Sequence, residues 1–154
     1  MSATLASVNL TANDEIPQFT PGSRYTTKDG KVYRYYKFNN GAGNVAAVAG
    51  NFAYFLAVSG ASAGEVTEVT MDLSDSAGVG AGVFQAVLTD GYYGWFQTGG
   101  HCTLTTALTA GADGNALTAV GATDGTIDVS ALVTDFICAV AIDASAKIVM
   151  LTCP

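Results

Sequence analysis

An all-β fold is what this sequence predicts, and three observations predict it. Apolar runs of roughly five to nine residues alternate with Gly, Asp and Asn breaks. Asp-Gly dipeptides stand at 29–30, 90–91, 113–114 and 124–125, each beside such a run. Helical periodicity is almost absent. Several short strands joined by frequent turns read as a compact β-barrel or β-sandwich. With 154 residues the chain is long enough to bury one sizeable core, so no metal or disulfide staple is required.

The elements follow in order. Residues 1–20, rich in Ser, Thr, Ala and Asn and without a period, predict an extended N-terminal arm. Residues 24–38 predict an early β-hairpin, because Asp29-Gly30 favours a tight turn and the flanks are β-branched and aromatic. In its second strand Val32, Arg34, Tyr36 and Phe38 share one face, and Lys31, Tyr33, Tyr35 and Lys37 the other. Both faces carry rings, so neither is plainly solvent. Further strands are expected near 52–58, 65–71, 83–89, 92–98, 102–106, 116–120, 125–129, 137–142 and 147–152. Helix competes at 41–50 and 130–137, where Ser130 caps at most a single turn. Gly60–Gly64 and Gly78–Gly82 read as loops. They divide one β-rich domain, 21–154, into an N-terminal subregion with the hairpin (21–76) and a C-terminal β-unit (77–154).

Composition excludes several classes. The chain is 49% hydrophobic and 12% charged, which excludes disorder over most of its length. Eighteen glycines without a triplet repeat exclude collagen. The net charge is −7, yet five of the six cations (Arg24, Lys28, Lys31, Arg34, Lys37) fall within 24–37. From Asn39 onward Lys147 is the single cation against ten acids. A nucleic-acid binder needs a basic stripe to displace counterions, so no nucleic-acid partner is expected. Anionic membrane surfaces are disfavoured for the same reason. The uncharged stretches 38–64 and 91–112 are too rich in Asn, Gly and Thr to span a bilayer. Met1–Ala6 lacks the basic and apolar regions of a signal peptide.

No catalytic, cofactor or metal site is predicted. Gly78-Val79-Gly80-Ala81-Gly82 fails as a dinucleotide loop, because Val83 stands where the third glycine is needed and no helix pattern follows. His101 and Cys102 are neighbours on a strand and point to opposite faces. Glu65 with Glu68, and Asp72 with Asp75, read as solvated loop acids, and Asp113-Gly114-Asn115 lacks the later ligands of a calcium loop. Cysteines 102, 138 and 153 are odd in number and widely spaced, which fits free thiols in a reducing compartment.

The rings say more. Tyr25, Tyr33, Tyr35, Tyr36 and Phe38 cluster with the cations, and Tyr92, Tyr93, Trp95 and Phe96 surround Gly94. Large rigid rings and arginine are enriched where proteins meet. The expected partner-binding residues are therefore Arg24, Tyr25, Tyr33, Arg34, Tyr35, Lys37, Tyr92, Tyr93 and Trp95. The competing reading is that half of these rings fill the β-core. A basic hairpin on an acidic chain also predicts self-complementary charge, and with it a homo-oligomer.

Two segments carry a resemblance. Pro17-Gln18-Phe19 through Gly22-Ser23-Arg24, then Asp29-Gly30-Lys31-Val32-Tyr33-Arg34-Tyr35, is similar to the "P-x-[FY]-x-x-G-[ST]-R … D-G-x-V-[YF]-R-Y" stretch of tailed-phage head decoration, or cement, proteins. Gly82-Val83 with Asp90-Gly91-Tyr92-Tyr93-Gly94-Trp95-Phe96-Gln97 resembles their "G-V … G-x-Y-G-[WF]-[IFV]-Q" strand pair. The resemblance implies a non-enzymatic virion protein, made in bacterial cytoplasm, that binds the major capsid protein on the capsid exterior and stabilises the shell. An N-terminal arm reaching a neighbouring subunit fits that role, while the dimer or trimer expected of the homo-oligomer is not a detail the resemblance supplies. Two alternatives stand beside it: a carbohydrate- or receptor-binding β-module using Tyr92, Tyr93 and Trp95, and a subunit of some other particle or filament.

Overall fold

The computed structural model describes residues 8–57, 67–120 and 123–154. The fold is all-β, as expected, with ten strands among the described residues: β1 Arg24–Thr26, β2 Val32–Phe38, β3 Phe52–Leu56, β4 Glu68–Thr70, β5 Ser76–Phe84, β6 Tyr93–Thr103, β7 Ala116–Thr118, β8 Asp128–Val129, β9 Ile137–Asp143 and β10 Ile148–Thr152. Between barrel and sandwich, the strand pairing decides for the barrel. The ring runs β2–β4–β3–β5–β6 and closes because β6 pairs back onto β2. Five is odd, so directions cannot alternate all the way round. One adjacent pair must be parallel, and it is β2–β4, with Lys37 opposite Glu68. The order then continues from β6 through β10, β9, β7 and β8 as an outer antiparallel sheet, and β1 lies on β2. The ring therefore takes strands from both sides of residue 76.

Period-two alternation builds three packed layers from these strands. One side of each barrel strand fills the interior, with Tyr36, Phe38, Val69, Phe84 and Phe96 meeting there. The other side of β3 and β5 sends Phe52, Tyr54 and Val83 against Leu117, Ala139 and Val149 of the outer sheet. The outward side of β2 and β6 carries Tyr33, Tyr35 and Trp95. This is why both faces of β2 are aromatic. Each such side chain contributes on the order of 1.5–3 kcal/mol by leaving water.

The hairpin forms as expected, and its turn can be specified. Thr27 N–H donates to the Lys31 carbonyl at 3.0 Å, Gly30 N–H to Thr27 at 3.0 Å, and Gly30 takes φ +84°. That is a three-residue loop with glycine in the left-handed position.

Several boundaries differ from expectation. Gly78–Gly82 is no loop: it lies inside β5. An alanine at Gly80 would place its Cβ 2.6 Å from the Phe52 ring and 2.9 Å from Cys138 Cβ, so glycine there lets β9 approach the barrel wall. The strand expected at 83–89 ends at Phe84, and the runs at 92–98 and 102–106 merge into β6, which reaches Thr103. Neither 41–50 nor 130–137 forms a helix. The loop expected at Gly60–Gly64 lies outside the described residues.

Tyr54 ties the outer layer to the barrel. Its hydroxyl donates to the carbonyls of Thr126 and, at 3.0 Å, of Thr123, and it accepts from Thr126 N–H at 3.0 Å. Burial holds this phenol above the ordinary tyrosine range. Tyr54→Phe is expected to lose about 1–2 kcal/mol of stability in chemical denaturation while preserving the β-sheet circular dichroism.

Candidate interaction surface

The structure brings five of the nine sequence-predicted residues into one cluster. Tyr25, Tyr33, Tyr35, Tyr93 and Trp95 share the outward side of the β1–β2–β6 wall. They do not face solvent freely, because the chain covers them with its own segment 8–20. Asp14 and Tyr93 exchange two backbone hydrogen bonds at 2.9 and 2.8 Å. The Tyr35 hydroxyl donates to Asp14 Oδ2 at 2.6 Å and accepts from Gln18 N–H at 3.2 Å. The Phe19 ring stands edge-on to Tyr35 and Trp95, with centroids 5.4 and 5.1 Å away. Val8 and Leu10 pack against the same rings. Tyr33, Tyr35 and Trp95 are thus buried, so the competing reading accounts for these three rings. Trp95 Nε1–H is buried without a hydrogen-bond acceptor among the described residues.

The other four residues lie elsewhere. Lys37 is half-buried and pairs with Glu68 at 2.9 Å. Arg34 takes the opposite face of β2 from Tyr33 and Tyr35, and exposed Arg24 is its cross-strand neighbour. Tyr92 is half-buried at the turn after Asp90, its N–H donating to Thr89 at 3.0 Å.

Sequence reasoning missed the most outward apolar feature. Between β8 and β9 the chain turns through Ser130–Phe136, and Leu132 is 63% exposed, Phe136 42% exposed and Val133 fully exposed. Ile137 at the start of β9 extends the patch. One carboxylate organises this loop. Asp135 Oδ2 accepts from Ala131 N–H at 3.0 Å, Leu132 N–H at 2.9 Å and the Ser130 hydroxyl at 3.3 Å. Asp135 N–H returns a bond to the Leu132 carbonyl at 3.1 Å. These backbone donors hold the Asp135 carboxyl below the usual aspartate range. The loop is therefore a preformed knob, its backbone fixed and its apolar side chains held outward. The available signal was Ser130 and Asp135 bracketing Leu-Val, a loop polar in its fixings and apolar in what it displays.

This arrangement gives a test of the loop alone. Asp135→Ala is expected to weaken partner binding while leaving the melting temperature nearly unchanged, since the carboxylate orders the loop and not the core. Because the folded value is depressed, the ordering persists through neutral and mildly acidic pH and fades as pH falls through that lowered value. Amide exchange at Ala131 and Leu132 measures it.

Asp72 and Asp75, expected to be solvated loop acids, have structural partners instead, and Asp72 is buried. Asp72 accepts from Ser74 N–H at 3.0 Å and Gly43 N–H at 2.8 Å, and Asp75 from Ala42 N–H at 2.6 Å, so both carboxylates pin the 41–43 loop. Glu65 lies outside the described residues. Burial pushes the Cys102 thiol up to about 11, away from reactive thiolate, and the Cys153 thiol is raised by its neighbour Cys138 and by burial. Among the described residues no three His, Cys, Asp or Glu side chains converge as metal ligands. Comparison of the chain with protein-family models, with curated proteins and with solved structures finds no match.

Proposed function

We propose that this chain is a structural virion protein of the decoration type, which docks on the outside of a tailed-phage capsid and stabilises the shell. The observation that carries the reading is the Leu132–Val133–Phe136 knob, rigid, apolar and directed away from the barrel. Exposed apolar side chains held in fixed geometry serve docking, because preorganisation lowers the entropy lost on binding. The motifs around Phe19–Tyr35 and Gly82–Gln97 supply the assignment to phage heads, with the major capsid protein as partner. Net acidity suits the exterior of a shell better than a surface lining packaged DNA. High copy number on a lattice multiplies individually modest contacts.

The carbohydrate alternative draws less support. Of the three rings that reading uses, Trp95 is packed against Phe19, Tyr25 and Tyr35, Tyr93 stacks on Tyr35, and Tyr92 is half-buried. Removing residues 1–20 strips Val8, Leu10 and Phe19 from those rings, so truncation lowers domain stability as well as any contact the arm makes. The cleaner experiment uses the full chain. Mixed with undecorated capsids of the parent phage, it should sediment with them and raise their resistance to heat. Protein that stays in the supernatant at saturating concentration overturns the reading.

A further inference from the structure

Arg34 shares the face of β2 that sends Tyr36 and Phe38 into the barrel interior, and it stands toward the strand's start. It therefore lies at a mouth of the barrel, a common place for ligand sites. Arg24 of β1 is its direct cross-strand partner. A cleft of about 320 Å³ is lined by both arginines together with Val32, Thr98, Thr152, Cys153 and Pro154.

Like charges directly opposite on paired strands repel. Among the described residues neither arginine has a carboxylate at ion-pair distance, whereas Lys31 has Asp29 and Lys37 has Glu68. Arg34 is pinned all the same, donating Nη1 to the Gly22 carbonyl at 3.1 Å, which fixes the fork without neutralising it. Two arginines directly opposite each other on paired strands, one of them pinned, beside a cleft suit the charge of a carboxylate.

The chain itself supplies such groups. Past Asn39 it has ten acids against one cation. Among these acids the outer sheet carries Asp113, Asp128 and Asp143 at its strands and loops, with Asp113 exposed. We propose that the Arg24–Arg34 cleft is a carboxylate-binding site whose occupant is an aspartate or glutamate side chain of a second copy of this chain. Copies then join head to tail, an arrangement that closes into rings or extends along a lattice. This contact is separate from the knob, and its test does not involve capsids.

Sedimentation equilibrium of the full chain tests it. The wild type should associate reversibly at low ionic strength and dissociate in about 1 M salt, where screening shortens to ~3 Å. Arg24→Ala with Arg34→Ala should weaken association by about tenfold or more, the effect of losing charge-assisted hydrogen bonds, and excess glutarate should compete in the wild type. Arg24→Ala alone should keep or raise the melting temperature, because it removes repulsion. A structural role for Arg24 predicts a fall instead, and such a fall counts against the site. Wild type that remains monomeric, or a folded double variant that associates as the wild type does, overturns the proposal. Monomeric wild type that glutarate still protects against heat overturns the second copy as occupant and assigns the cleft to a free carboxylate.

Discussion

Replacing Gly82 with alanine is expected to lower the stability of the domain by about 3–5 kcal/mol, combining backbone strain with overpacking. Gly82 sits in β5 at φ +115°, where a side chain is strained whatever the space. Its new Cβ would stand 2.4 Å from the Gln97 carbonyl oxygen and 3.1 Å from the carbonyl carbon. Those atoms are backbone and cannot swing aside like the end of a flexible side chain. They also belong to the β5–β6 seam, since the next residue, Val83, pairs with Gln97. Relief of the clash must pull apart two strands of a closed ring, and the barrel interior opens with them. Gly91→Ala is the matched control, with φ +80° and nothing within 4 Å of the added carbon. It should cost about 1 kcal/mol through the backbone alone. Denaturant unfolding of both variants measures the difference, and equal losses would contradict the seam.

The second large effect is on binding and leaves the fold alone. Leu132→Ser with Val133→Ser is expected to reduce capsid affinity by about a hundredfold or more, while stability stays within roughly 0.5 kcal/mol. In the free chain Leu132 is 63% exposed and Val133 fully so, and folding gains little from side chains that remain in water. Docking is where their burial is realised, at about 1.5–3 kcal/mol for each side chain fully covered. The loop backbone should survive the double substitution, because Asp135 bonds main-chain groups. Titration of capsids with each variant, beside thermal melts, separates the two readouts. A double variant that decorates as the wild type does removes the knob from the interface.

The sequence made the all-β class and the hairpin legible because both rest on local rules: the Asp29-Gly30 turn and the alternation through 32–38. Ring closure rests on long-range pairing, and no local pattern announces that Tyr93–Gly99 will meet Val32–Lys37. The glycines of β5 misled for a related reason. Glycine is a loop signal when only neighbours along the chain are considered, and here the crowding comes from Phe52, Gln97 and Cys138, distant in sequence. The sequence groups the rings by segment, whereas the fold gathers Tyr25, Tyr33, Tyr35, Tyr93 and Trp95 outside the barrel and Tyr36, Phe38 and Phe96 inside it. Composition could not tell which side of β2 the arm would cover. Phe19 and Asp14 decide that, from an arm that has no period of its own. The knob was overlooked because Leu132, Val133 and Phe136 look like core residues until the Asp135 hydrogen bonds hold them outward.

The account depends on a sparsely charged β-domain presenting a fixed apolar knob so that other protein can cover it. Electron cryo-microscopy of the intact particle measures this most directly. The account predicts density for this barrel on the outside of the shell, with Leu132, Val133 and Phe136 buried against capsid protein. A barrel seated by some other face with those three side chains in open solvent, or a shell that lacks the protein altogether, would contradict it.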